Sequence, residues 1–129
     1  MNILPNILIF SVFEKNQTAA YNEGMHAEIL RMMQDKCIPH LELQGKYSGN
    51  NEKSILVEGF ERRSMVENLC KLYAQECYLE SHSDRQTFLV FPDGTKKAVG
   101  KLTNVSKEVA EASDSFSYNP LSGQYFVTA

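Results

Sequence analysis

The sequence has no tryptophan, only four prolines, and no run of like charge. Its three cysteines, Cys37, Cys70 and Cys77, are an odd number, and no two form a CxxC pair. A disulfide framework is therefore not expected, which points to a reducing compartment. None of the three histidines pairs with a second ligand at zinc spacing, so no metal and no cofactor is expected. Thirteen basic and sixteen acidic residues leave a net charge of −3, without the basic excess of a duplex-DNA binder. Long apolar stretches are missing too. The N-terminal "ILPNILIFSVF" is broken by Pro5 and Asn6, lacks a basic leader, and is too short to span a bilayer as a helix. The expected address is the cytosol of a bacterium or a phage-infected cell, with no membrane partner. Walker, GxGxxG, HExxH and GxSxG motifs are all absent.

What is present is an ordinary globular balance: 129 residues, 43% hydrophobic and 22% charged. That length fits one domain, 1–129, with enough chain to bury a core. Ile7 to Phe13 is nearly continuous in apolar residues and reads as a covered strand. Thr18 to Lys36 has helical periodicity, with Tyr21, Met25, Ile29, Leu30, Met32 and Met33 on one half of the wheel. "HLELQGKYS" alternates, placing Leu41, Leu43, Gly45 and Tyr47 on one face. After the turn "GNN", Glu52 to Gly59 forms the second arm of a hairpin.

Ser64 to Glu76 reads as a second amphipathic helix, with Ser64 and Glu67 at capping-box spacing. Strands follow at Cys77–Glu80 and Gln86–Phe91. The turn "PDG" leads into "TKKAVGKLTNV", whose lysines suit a solvated edge strand. A short helix at Ser106–Ala112 and a terminal hairpin at 116–127 complete the chain.

The order predicts an α+β fold: a mainly antiparallel sheet of five to six strands with two amphipathic helices on one face. The first six elements match a ferredoxin-like βαββαβ order, with C-terminal strands and a short helix added.

Candidate site residues follow from these placements. Glu52 and Ser54 are two apart on a strand and so share a face. They form either a solvated strand entrance or an acceptor and donor in a pocket. A carboxylate alone activates a hydroxyl poorly, so they are not a nucleophile system. Asn22 and His26 are i,i+4 neighbours inside the apolar arc of the first helix, where polar groups need partners. His26 is the one side chain there with acid–base capacity near neutrality. Gln75 and Glu76 close the second helix, with Glu76 on its apolar side. Phe116, Tyr118, Tyr125 and Phe126 are candidates for an aromatic binding surface.

The strand "ILIFSVF", the helix "YNEGMHAEIL", then "LQGKYSGNNEKSILVEGF", "YAQECYLE" and "FLVFPDGTKKAVGKLTNVS" together resemble the uncharacterised domain of unknown function 3293 family of small bacterial and phage proteins. The resemblance covers Ile7 to Ser106. Where that family carries Thr-Ala-x-Asn after the first strand, this chain has "SVFEKNQ". The resemblance implies no established activity, but it groups Asn22, Glu52, Ser54, Gln75 and Glu76 as a shared polar cluster.

Three functions remain in view. The first is a small non-enzymatic binding protein, such as a phage-encoded accessory or inhibitor of a host or defence system, with a host or bacterial protein as partner. The second is an enzyme or small-ligand binder using Asn22, His26, Glu52 and Ser54. The third is a single-stranded nucleic-acid binder, which needs Lys and Tyr/Phe on one exposed sheet face.

Overall fold

The computed structural model describes residues 5–129. Its elements run β1 (Ile7–Phe10), α1 (Ala19–Asp35), β2 (Leu41–Tyr47), β3 (Asn50–Glu58), α2 (Arg63–Leu72), β4 (Tyr78–Ser81), β5 (Gln86–Val90), β6 (Lys96–Val105), α3 (Lys107–Glu111), β7 (Phe116–Asn119) and β8 (Gln124–Thr128). All strand pairs are antiparallel. Neighbours follow the order β1-β3-β2-β7-β8-β6-β5-β4, and β4 returns to β1, so the sheet is a closed barrel of eight strands.

This overturns the expected open α+β sheet of five to six strands. The stretch β4-β1-β3-β2 is the neighbour order that a βαββαβ arrangement makes, but the sheet does not end there. The C-terminal hairpin β7–β8 joins β2 to β6, and closure removes the exposed edges an open sheet would carry. The lysine-bearing β6 is accordingly no edge strand: it lies between β5 and β8.

Closure depends on one close approach. Gly45 on β2 pairs with Ser117 on β7, and a Cβ at position 45 would run into the main-chain carbonyl of Phe116. The neighbouring turn is tied down as well. The Gly49 N–H donates to the Asp114 carbonyl (2.8 Å), and the Ser48 N–H to the Ser115 hydroxyl (3.0 Å).

Alternation along the strands sorts two cores. Ile7, Ile9, Leu43 and Leu102, with Leu56, Leu79 and Phe126, fill the barrel interior. Leu8, Phe10, Ile55, Val57, Tyr78 and Val90 point outward, where Ile29 and Met33 of α1 and Val66 and Cys70 of α2 cover them. Both long helices therefore share one apolar layer on the outside of the barrel.

The second helix differs from expectation at both ends, ending at Leu72 rather than Glu76. Thr18 caps α1, accepting from the Tyr21 N–H (3.1 Å). Ser64 caps nothing, because α2 begins a residue earlier, after Arg62, and has no side-chain cap. Both helices stop in the same way, with a non-glycine residue at positive φ (Cys37 at 54°, Ala74 at 51°). The next N–H then reaches back: Ile38 to the Met33 carbonyl (2.9 Å), Gln75 to the Cys70 carbonyl (2.8 Å). These Schellman closures turn the chain before Pro39 and before Gln75. Among the described residues no helix is long and apolar enough to cross a membrane.

Gly45→Ala should separate β2 from β7 and cost about 1–3 kcal/mol, the usual range for forcing atoms into a packed site. A fall in the urea midpoint checks this; an unchanged midpoint would show that the two strands can part without loss.

Candidate active site in the barrel mouth

The barrel end formed by the C-termini of β1 and β2 and the N-termini of β3, β4 and β7 holds a cavity of about 120 Å³. Ile9, Leu79, Leu89, Leu102 and Phe126 give it an apolar floor, and Tyr47, Glu52, Ser54, Gln75, Glu76 and Cys77 are among its polar groups. Lys46 also lines it, but its ammonium turns to the Phe116 ring (5.7 Å) and the Glu111 carbonyl (3.4 Å) rather than to Glu52. Four of the polar sequence candidates thus meet here. Glu52 and Ser54 arrive from β3, inward like Leu56, on the face opposite Ile55 and Val57. Gln75 and Glu76 come from the connector between α2 and β4. They are not helical, since α2 has already ended at Leu72, and Glu76 is exposed at the rim.

Glu52 is the group that sets the character of the site. Across the β2–β3 ladder it faces Gly45, where the β7 main chain at Phe116 stands in place of a side chain and supplies no charge. Among the described residues it has no salt bridge, and burial alone pushes its carboxyl up to about 7. Such a group is poised between its two protonation states at neutral pH, which is a frequent property of functional carboxyls.

Tyr47 and Cys77 lie beside it, with the phenol oxygen 3.3 Å from the thiol sulfur. Burial raises both above their ordinary values, so each is neutral at pH 7 and Cys77 is not an activated nucleophile.

Asn22 and His26 do not line this cavity. Both are buried on the inner face of α1, at 7% and 2% exposure. Asn22 is fully engaged with the main chain of Glu14: its Oδ1 accepts from the N–H (2.9 Å) and its Nδ2 donates to the carbonyl (3.1 Å). His26 packs edge-on to the Phe13 ring, with centroids 5.9 Å apart. Its Nε2 is 3.3 Å from a Glu42 carboxylate oxygen, yet neither ring nitrogen has an aligned hydrogen bond among the described residues. Burial lowers its pKa, against the pull of Glu42.

The expected aromatic surface also divides. Tyr118 and Tyr125 stack at 4.6 Å, while Phe126 turns into the barrel interior and Phe116 reaches the cavity rim.

Ser11, Tyr47 and Cys77 also line the cavity, and no motif marks them. The alternation that puts Tyr47 and Gly45 on one face with Leu43 is the signal the sequence holds for Tyr47. Ser11 continues the inward alternation of Ile7 and Ile9, but without the barrel that face had no destination. A further cluster lies outside the site. The fully buried Glu80 on β4 holds Arg63 (2.5 Å), His82 (2.8 Å) and Lys96 (3.0 Å), joining α2, β4 and β6. The bonds from Lys96, His82 and Arg63 keep this carboxyl low despite its burial.

A closed antiparallel barrel whose mouth presents a desolvated carboxylate over an apolar floor belongs with small-ligand sites rather than with flat docking surfaces. The comparison of families agrees. The S-Adenosylmethionine lyase family matches residues 8–129, and the chain belongs to that family. This replaces the resemblance to the domain of unknown function 3293 family, and with it the reading as a non-enzymatic phage inhibitor, because the family is one of enzymes. No curated protein matches the chain.

Two titrations check this electrostatic picture. For Glu52 the folded pKa lies above the unfolded one, so its stabilising protonation is fully present below 4.5 and is lost as pH rises through about 7. Glu52→Gln should therefore raise stability at pH 8 by about 2 kcal/mol and leave it nearly unchanged at pH 4. Equal effects at both values would mean the carboxyl is solvated. For His26 an NMR titration should give a midpoint below 6.5; a midpoint above it would mean that Glu42 outweighs burial.

Proposed function

We propose that the chain is an enzyme that cleaves a carbon–sulfur bond of S-adenosylmethionine at the barrel mouth. The observation that carries this reading is Glu52: a half-buried carboxyl without a cationic partner among the described residues, in a chain of this family. The substrate's sulfonium brings the missing positive charge. Coulomb attraction between the two is far stronger over an apolar floor than in water, so the ionised Glu52 draws the sulfonium to the cavity.

When the bond breaks, its electron pair stays on sulfur, which becomes a neutral thioether. In a lyase reaction no water adds. The electron pair that satisfies the departing carbon comes from within the substrate, and any proton released goes to a base. Glu52 is the base beside the apolar floor, whereas Glu76 stands exposed at the rim. Ile9, Leu79, Leu102 and Phe126 exclude water from the reacting carbon. Tyr47, Ser54 and Gln75 supply hydrogen bonds for the polar ends of the substrate, and the aromatic face of Tyr47 suits a cation. We place this chemistry in the cytosol, the compartment consistent with unpaired cysteines.

The test is incubation of the purified protein with S-adenosylmethionine, following loss of the sulfonium by mass spectrometry. Cleavage without incorporation of solvent oxygen supports the assignment; intact substrate at stoichiometric enzyme rejects it. Glu52→Gln should lower kcat/KM by at least about a hundredfold, the scale of losing a positioned base or charge. In the native enzyme kcat/KM should rise with pH through about 7 as Glu52 ionises. A flat profile from pH 5 to 9 would remove Glu52 from the binding step.

A further inference from the structure

Asn22 lies outside the cavity that Gln75 lines. A single peptide group connects them. The peptide between Phe13 and Glu14 offers its N–H to Asn22 Oδ1 (2.9 Å) and its carbonyl to Gln75 Nε2 (2.7 Å). A peptide is planar, so its two polar ends cannot move independently. Hydrogen bonds in such a chain also polarise one another. Asn22 adds a second bond, from Nδ2 to the Glu14 carbonyl (3.1 Å), which fixes the tilt of the segment. Gln75 in turn donates to the Tyr73 carbonyl (3.0 Å), so its amide spans the gap between this segment and the α2–β4 connector.

The same segment is tied to the other half of the site. The Phe13 N–H donates to Ser11 Oγ (3.0 Å), and that hydroxyl donates to the Lys53 carbonyl (2.8 Å). Lys53 stands between Glu52 and Ser54 on β3. Residues 11–14 are therefore anchored to β3 through Ser11, to α1 through Asn22 and to the connector through Gln75.

We propose that Asn22 is a positioning residue for the barrel-mouth site: through the Phe13–Glu14 peptide it fixes Gln75, and with it the connector carrying Glu76, across the cavity from Glu52. This rests on the reading of that cavity as the active site. Asn22 touches no substrate. It acts by holding two arms of the cavity at a set separation, and small displacements of positioning groups cost rate steeply.

The experiment combines kinetics with NMR of the Gln75 side-chain amide. In Asn22→Ala, kcat should fall roughly ten- to a hundredfold with little change in KM, and the Gln75 amide protons should exchange faster with solvent. Gln75→Ala should lose at least as much kcat, since it removes a substrate contact along with the chain of bonds. The double variant should be no worse than Gln75→Ala, since both changes cut one chain. Asn22→Asp keeps the acceptor for the Glu14 N–H and should fall between native and Asn22→Ala. It also carries the test if the alanine variant does not fold. Losses that multiply in the double variant, or an unchanged Gln75 amide in a folded Asn22 variant, overturn the proposal. The amide exchange is read without turnover. Absence of cleavage by the native protein therefore counts against the function, and the exchange result alone decides the positioning role.

Discussion

The close approach of β2 to β7 at Gly45 makes the rest of this structure possible. It closes the barrel, and closure creates an inside for Ile9, Leu43, Leu102 and Phe126 to fill. It also leaves the position across from Glu52 without a side chain. A carboxyl placed there loses water and, among the described residues, gains no ion pair. Its elevated pKa is thus a consequence of how the sheet closes, and a cation is the partner this carboxyl lacks among those residues.

The two faces of the barrel divide the labour. Outside, α1 and α2 cover one apolar layer, and a wholly buried Glu80 is satisfied by three basic side chains. Inside the mouth, Glu52 is left without such partners among the described residues. The contrast between these two carboxyls is informative because both are removed from water. One is neutralised within the fold and serves the architecture; the other is kept free for a charge that arrives from solution.

Local signals carried most of the elements. Apolar alternation located β2 and β3, and the helical stripe located α1, with its polar Asn22 and His26 correctly inside the buried arc. The face shared by Glu52, Ser54 and Leu56 was likewise legible from period two alone. What did not show was long-range. Nothing in the lysines of β6 tells that β8 will cover its edge, and nothing in "FSYN" tells that it pairs with β2 across 70 residues. Helical periodicity extends the second helix to Glu76 because Ala74 gives no sign of a positive φ, as a glycine would. Gln75 and Glu76 reach the cavity because the helix ends early. The link from Asn22 to Gln75 runs through main-chain atoms, which no side-chain pattern reports.

The central claim is that Glu52 waits for a positive charge. Calorimetry of an uncleavable S-adenosylmethionine analogue, carrying an amine in place of the sulfonium, tests it most directly at pH 6.5 in buffers of differing ionisation heat. With Glu52 about three quarters protonated at pH 6.5, binding of the analogue's ammonium form should expel most of one proton from the native protein and none from Glu52→Gln. Binding that releases no proton from the native protein, or the same number from both, would contradict the account.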